Sequence, residues 1–301
     1  MYDIIIIGAG PAGLTASIYA RRAEKSVLIL EKESFGGQIT YSPLVENYPG
    51  IPSASGNEIA EIFIEQALSL GVDIELGEVT DIKRINGVNI VSASCGEYEA
   101  KAVIIAAGSK HRRLGLENED ELVGNGVSYC AVCDGAFFKD KDVAVIGGGN
   151  TALQEAVLLS KTCRSVTIIQ NLPYLTGEKK ISDSLYKLDN VSVILGATVK
   201  ELCGSTSLRS VKIVDSDGIE SELGLDGVFV AIGQTPENEP FSSVATIDDS
   251  GYIVSNESCL TDTDGVFVAG DCRTKSVRQI TTATADGATA ALAAVRYIDS
   301  L

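Results

Sequence analysis

Gly8-Ala9-Gly10-Pro11-Ala12-Gly13 follows a short β-branched run, residues 4–7, and opens a helical pattern that continues to about Ala23. A second strand-like run, residues 27–30, ends on Glu31. Strand, GxGxxG, helix, strand, acid is the order of a dinucleotide-binding unit. The first glycine allows the tight turn, and the second lets backbone N–H groups approach a pyrophosphate. The third lets the helix pack closely on the strand, while the helix N-terminus favours the phosphate charge. Glu31 is placed to accept hydrogen bonds from a ribose diol. A lone GxGxxG carries little weight, and here the flanking strands and the acid supply the context it needs.

The pattern returns further along. Asp142–Ile146 is followed by Gly147-Gly148-Gly149-Asn150-Thr151-Ala152, a helix, and a strand over residues 166–169. With Asp142 laid on Asp3, the second unit aligns on the first without a gap. Gly8, Gly10 and Gly13 fall on Gly147, Gly149 and Ala152, and Glu31 falls on Gln170. Two such units imply two nucleotides, or one nucleotide and a vestigial site. The fold class is α/β with two Rossmann-like domains. Between the units a helix is expected over residues 59–70. Strands are expected near residues 72–76, 79–85, 88–94 and 103–107, the last a buried run. After the second unit come strands near 191–195 and 211–214, buried runs at 227–232 and 265–269, and an alanine-rich helix from Thr282 to about Tyr297.

Composition narrows the function. Hydrophobic residues make up 45% of the 301 and charged ones 22%, an ordinary globular balance with room for two domains. A formal net charge of -17 argues against nucleic acid, which needs a basic face, and against anionic membranes. No apolar run approaches the roughly 20 residues that a bilayer-spanning helix requires. Met1-Tyr2-Asp3 leads straight into a strand without a basic region or cleavage site, so a cytoplasmic protein is expected.

The seven cysteines are odd in number and scattered, unlike a secreted disulfide framework. Only Cys130 and Cys133 are close enough to form a unit, in Cys130-Ala131-Val132-Cys133-Asp134-Gly135. Zinc would require a second pair or a histidine pair, and His111 is the sole histidine, so no metal site is expected. A dithiol just before a nucleotide unit suggests electrons moving between a cofactor and a disulfide. Cys163 sits in the turn that matches Glu24 and is expected to be exposed and oxidisable. Cys272 follows Asp271, and a redox role for it lacks an evident partner. His111 is expected to serve the surface.

Residues 8–13, Gly36-Gly37-Gln38, the 130–135 motif, residues 147–152, the run 265–271 and Arg278-Gln279 occur in an order that resembles the low-molecular-weight thioredoxin reductases. The likeness spans essentially the whole chain, and the CAVCDG motif immediately before the second unit is its most specific mark. It implies a discontinuous FAD domain, residues 1–112 and 243–301, with an inserted pyridine-nucleotide-type domain, residues 113–242, that carries the dithiol. It also implies a homodimer and rotation of the inserted domain, with hinges near residues 113–115 and 239–243.

By the same resemblance Gly8, Gly10, Pro11, Ala12, Gly13 and Glu31 hold the ADP part of FAD, and Gly37, Gln38 and Asn47 line its flavin side. Gly270 and Asp271 approach the ribitol, and Arg278 and Gln279 reach the flavin or its phosphate. Gly147, Gly149, Asn150 and Thr151 form the second nucleotide cradle. Electrons pass through FAD to the Cys130–Cys133 disulfide, with Cys133 facing the flavin. Cys130 then attacks the disulfide of thioredoxin or a thioredoxin-like protein, and Asp134 protonates a departing thiolate.

The electron donor is where the chain departs from the family. NADPH-dependent members carry His-Arg-Arg after the second unit's last strand and a further arginine beyond it. Here those positions read Gln170-Asn171-Leu172 and Thr176. A 2′-phosphate is held by guanidinium forks, and an NADH ribose by an acid. The resemblance implies an answer, since some relatives that lack this basic cluster take electrons from reduced ferredoxin: reduced ferredoxin is the favoured donor, with NADH or NADPH bound without the usual clamp as the alternative. Since ferredoxins are usually acidic, docking would use a basic patch, either residues 110–113 or Arg273 with Lys275 and Arg278. A different class, an FAD-bound redox sensor without turnover, would show flavin and a reducible disulfide but no reduction of thioredoxin.

Overall fold

Ile4, Ile5, Ile6 and Ile7 form the centre of β1 (Tyr2–Ile7), where the first three are wholly buried. A parallel strand covered on both faces reads as an unbroken apolar run. Its side chains alternate between two cores, with Ile4 and Ile6 in one and Ile5 and Ile7 in the other. The computed structural model describes residues 1–42 and 44–301. It forms two compact units, Met1–Lys110 with Thr235–Leu301, and His111–Gln234.

In the first unit β1 is followed by α1 (Pro11–Arg22), β2 (Val27–Glu31), α2 (Gly56–Ser69), β3 (Asp73–Leu76), β4 (Val79–Ile85), β5 (Val88–Ala93) and β6 (Gly96–Ile105). β3, β2, β1 and β6 pair in that order, all parallel. The early half of β6 pairs antiparallel with β5, which pairs with β4. The expected run at 103–107 is thus the buried end of a longer strand whose polar start hides its extent. α2 begins earlier than expected, at Gly56, because Ser55 and Glu58 form a capping box over its first turn.

The chain crosses to the second unit at β7 (Lys110–His111). There follow α3 (Glu119–Leu122), β8 (Val127–Ser128), α4 (Ala131–Asp134), β9 (Asp142–Ile146), α5 (Asn150–Leu159), β10 (Ser165–Gln170) and α6 (Lys179–Leu185). Then come β11 (Val191–Leu195), β12 (Thr198–Cys203), β13 (Ser210–Val214), β14 (Glu220–Gly224) and β15 (Gly227–Val230). A parallel sheet runs β11-β10-β9-β15-β8, and β12-β13-β14 form a separate antiparallel sheet. Val143 and Val145 face one core, Ala144 and Ile146 the other, repeating the plan of β1.

The chain returns through β16 (Gln234–Thr235) to β17 (Val266–Val268), which pairs parallel with the buried end of β6, and then to α7 (Ile280–Asp299). Gly287 brings α7 onto α1, since a Cβ there would lie 2.2 Å from the Ala12 carbonyl oxygen. The return falls earlier than the expected boundary after residue 242. Phe241 is buried in the first unit's core, and Asn238 donates to the carbonyls of Gly251 and Cys272. Among the described residues no helix is long and apolar enough to cross a membrane.

Candidate functional site

The two glycine turns are built alike. Gly8 N–H donates to Leu30 O at 2.8 Å and Gly147 N–H to Ile169 O at 2.9 Å. Both glycines have left-handed backbone, φ +104° and +127°, and a Cβ on either would lie 2.4 Å from a carbonyl oxygen, of Ala106 or Ala231. No side chain fits at that distance, which is why each turn needs glycine. A Cβ on Gly13 would sit 1.9 Å from Gly8 O, so α1 is pressed against its own turn. At the matching position in the second unit, Ala152 is tolerated and wholly buried.

In the first unit these residues open a groove. Gly8, Gly10, Pro11, Ala12, Glu31, Gly37, Gln38, Gly270 and Asp271 line it. Gly13 lies beneath, buried in the packing of α1. Glu31 is fixed at the end of β2: its Oε2 accepts from Ala9 N–H at 2.7 Å and its Oε1 from Glu33 N–H at 2.9 Å. Gly36 N–H donates to Ala9 O at 2.9 Å, which brings the 36–38 turn over the mouth of the glycine loop. The space above Gly10 is open, with nothing nearer than 4.0 Å to a Cβ built there.

Asp271 stands at the opposite wall, in the 3-10 turn that follows β17. Its Oδ1 is buried without a hydrogen-bond partner, and burial pushes its carboxyl up to about 6 against the pull of Lys275 and Arg278. An orphaned buried oxygen aimed at a groove is a place for a ligand hydroxyl. The turn is braced by Asp286 on α7, a residue the sequence reading passed over although it is the only charge on that helix before Arg296. Asp286 accepts from Gly270 N–H at 3.0 Å, from both Arg273 Nε and Nη2 at 2.9 and 2.8 Å, and from Lys275 Nζ at 2.9 Å. Burial works to raise its pKa, but these cationic partners prevail and hold it below the usual range.

Asn47 and Gln279 are brought together, Asn47 Nδ2 donating to Gln279 Oε1 at 3.2 Å. Arg278 lies over the Tyr252 ring at 4.3 Å and donates to Asp271 O at 3.4 Å, so it reaches the wall of the groove. The groove thus has an open glycine loop, a fixed acid at one end and an unpartnered carboxyl at the other.

In the second unit Cys130 and Cys133 form a disulfide. The Cys133 N–H donates to Cys130 Sγ at 3.2 Å. Asp134 Oδ2 accepts from Ser128 Oγ at 2.6 Å, and Ser128 Oγ in turn accepts from Cys130 N–H at 3.1 Å. Asp134 Oδ1 is buried and unpartnered, and burial raises the carboxyl's pKa against the Ser128 bond. Such an acid keeps its proton to higher pH than a surface aspartate, as a proton donor to a thiolate must.

Gly147, Gly149, Asn150 and Thr151 form the second loop and the start of α5. The covering turn is repeated too, since Thr176 and Gly177 N–H donate to Gly148 O at 2.8 and 2.9 Å. The difference lies at the end of β10. Gln170 is 5% exposed, packs against Gly148 and donates to Tyr174 O at 3.4 Å, where Glu31 in the first unit offers a carboxylate to the groove.

Several expectations are corrected. Arg273 and Lys275 are buried on Asp286 and form no docking patch. Lys110 pairs with Glu33 and Glu237, and Arg113 with Asp120, which neutralises much of the other candidate patch. Cys163 is buried rather than exposed, because the turn after α5 folds it inward, and burial raises its thiol pKa. Cys272 is wholly buried and pushed up to about 12, so it forms no thiolate. His111 is half-buried and stacks on Tyr129. Among the described residues no cluster suits a metal ion.

Residues 2–287 match the family model described as pyridine nucleotide-disulphide oxidoreductase. A thioredoxin reductase of Bacillus subtilis is 41% identical over all of this chain and 96% of its own length. A Clostridium pasteurianum protein described as a 34.2 kDa protein in a rubredoxin operon is 42% identical, covering 98% of this chain and 97% of itself. The crystal structure of thioredoxin reductase from Streptococcus pyogenes superposes with a TM-score of 0.95 at 38% identity, over 100% of this chain and 99% of that one. The groove, the dithiol and the doubled glycine turn have the same explanation as this full-length likeness: the chain belongs to the pyridine nucleotide-disulphide oxidoreductases, and among them to the FAD-dependent low-molecular-weight thioredoxin reductases.

Proposed function

We propose that this chain takes electrons through FAD in the first unit's groove to the Cys130–Cys133 disulfide and hands them to thioredoxin or a thioredoxin-like protein. Bound FAD supplies the two-electron reductant. The chain's own residues do the rest. Glu31 holds the ribose end, the open face above Gly10 admits the pyrophosphate, and the orphaned Asp271 oxygen takes a ribitol hydroxyl. Cys130 is the exchanging thiol, because the Cys133 N–H favours negative charge on its sulfur. Asp134 gives a proton to a departing thiolate. The observation that carries this reading is the disulfide closed between the N-cap of α4, Cys130, and Cys133 in its first turn, beside a buried acid.

For the donor we favour a one-electron protein of the ferredoxin type. Support comes from Gln170, which is buried and bonded to Tyr174 where a nucleotide-binding acid or arginine would stand, and from the neutral Asn171, Leu172 and Thr176 beside it. NADH or NADPH is the second reading, favoured by a second glycine loop folded like the first. Anaerobic absorbance of the FAD-loaded chain decides between them. Rapid bleaching by reduced ferredoxin and none by NADH or NADPH is expected; fast bleaching by either nucleotide would reverse the assignment. A chain whose flavin is bleached and whose disulfide is reduced, yet which does not turn over thioredoxin, would be a sensor.

A further inference from the structure

Glu155, on the inward side of α5, reaches back to the turn that carries the dithiol. Its Oε1 accepts from Ala131 N–H at 3.3 Å, the amide that immediately follows Cys130. The residue as a whole is half-buried, but its Oε2 is buried and has no partner. α4 is therefore flanked by two buried carboxyls, each with an orphaned oxygen. Asp134 comes from its own last residue, and Glu155 comes from the helix behind it. The sequence reading assigned Asp134 a task and gave Glu155 none.

We propose that Glu155 is a positioning residue for disulfide exchange, whose ionisation state, felt through the Ala131 amide, sets how readily Cys130 becomes a thiolate. This rests on the reading of Cys130 as the exchanging thiol. A negative charge on Glu155, held at the amide that follows Cys130, disfavours a second negative charge on the Cys130 sulfur. The favoured states are then Glu155 protonated with Cys130 a thiolate, or Glu155 ionised with Cys130 protonated. Reduction of the disulfide breaks one S–S bond and takes up two electrons and two protons. A carboxyl that titrates in the neutral range can retain or release one proton as the sulfur's charge changes. Burial pushes Glu155 up to about 7, with only the Ala131 N–H opposing it. The other ionisable groups on elements packed against α5 are Asp134 and, once the disulfide is reduced, Cys133 on α4, Asp142 on β9, and Lys179, Lys180 and Asp183 on α6. Asp142 is taken by Arg164 and Ser165, and the three on α6 are exposed. Among the described residues none of them hydrogen-bonds or ion-pairs with Glu155.

The test is alkylation of the FAD-loaded, phosphine-reduced protein across pH 5 to 10, with the Cys130 adduct counted by mass spectrometry. Wild type is expected to titrate in two overlapping steps. Glu155→Gln keeps the Ala131 bond and removes the charge, so it should give one step at lower pH and roughly threefold faster labelling at the wild-type midpoint. Superimposable profiles would overturn the proposal. Should the variant not fold, redox-difference infrared spectra of Asp134→Asn serve instead. A protonated-carboxyl band that shifts when the disulfide is reduced supports the coupling, and a spectrum without one refutes it. Neither measurement uses thioredoxin or a physiological donor. Failure to reduce thioredoxin would therefore count against the proposed function alone, and an unchanged profile against Glu155 alone.

Discussion

The Cys133 N–H points at the Cys130 sulfur across 3.2 Å, while the Cys130 N–H is given to Ser128 Oγ at 3.1 Å. The two sulfurs are therefore unequal: among the described residues, Cys130 alone has a hydrogen-bond donor on its sulfur. In a Cys133→Ser variant, Cys130 should attack a thioredoxin-like disulfide and remain joined to it, because no second thiol resolves the bond. Cys130→Ser should trap nothing. Non-reducing gels of each variant with thioredoxin read this directly, and both should keep FAD. An adduct formed by Cys130→Ser and not by Cys133→Ser would exchange the two roles.

Asp134 is held by Ser128 through one oxygen and leaves the other buried. Its raised pKa keeps the acid form at pH values where a surface aspartate has lost its proton. Asp134→Asn should lower thioredoxin turnover by about 100-fold while the disulfide and flavin remain. Wild-type turnover should fall as pH rises through the raised value, because the protonated form is the one that donates. Full activity in the asparagine variant would remove Asp134 from the chemistry.

The glycines of the first loop separate folding from binding. At Gly8 a Cβ would meet the Ala106 carbonyl oxygen at 2.4 Å in left-handed backbone, so Gly8→Ala should leave little soluble, cooperatively folding protein. At Gly10 the backbone is extended and the nearest atom is 4.0 Å away. Gly10→Ala should therefore fold with a melting temperature near that of wild type yet lose FAD, since the methyl group fills the space left for the pyrophosphate. Flavin absorbance retained by Gly10→Ala would mean that the phosphate does not approach there.

Much of this was legible in the sequence for a physical reason. The isoleucines of β1 and the valines of β9 are buried on both faces, and only strands so placed carry unbroken apolar runs next to glycine turns. The doubling of the pattern then located both units. β12 and β14 were passed over because they lie in a small antiparallel sheet where most of their residues are exposed, which leaves weak alternation. The start of α2 carried its signal, Ser55 followed by Glu58, ahead of the apolar pattern that was read. Glu155 and Asp286 could not be placed, because a single acid on a helix declares its burial only once the neighbouring element is known. The sequence offers Arg273 and Lys275 only as one candidate basic patch for the same reason, since Asp286, their partner, comes from a different element.

Asp271 links stability to cofactor binding, and the sign can be worked through. Its folded pKa is raised, to about 6, because the ionised form is buried with one oxygen unpartnered. A raised pKa means that the folded chain binds the proton more tightly than the unfolded one. The stability this contributes is complete below the unfolded value and is lost as pH climbs to about 6 and beyond. At pH 8 the cofactor-free chain therefore carries the full cost of the ionised carboxylate, about 2–3 kcal/mol. Asp271→Asn removes that charge. The flavin-free variant should be more stable than flavin-free wild type at pH 8 and no more stable at pH 3, below the unfolded value, while binding FAD more weakly because the ionised acceptor for the ribitol is gone. Urea unfolding of both apo forms at the two pH values, with FAD titration at pH 8, measures each part. Equal stability at pH 8 would show that the carboxylate is solvated in the cofactor-free chain. Unchanged FAD affinity would show that the ribitol is held by another group.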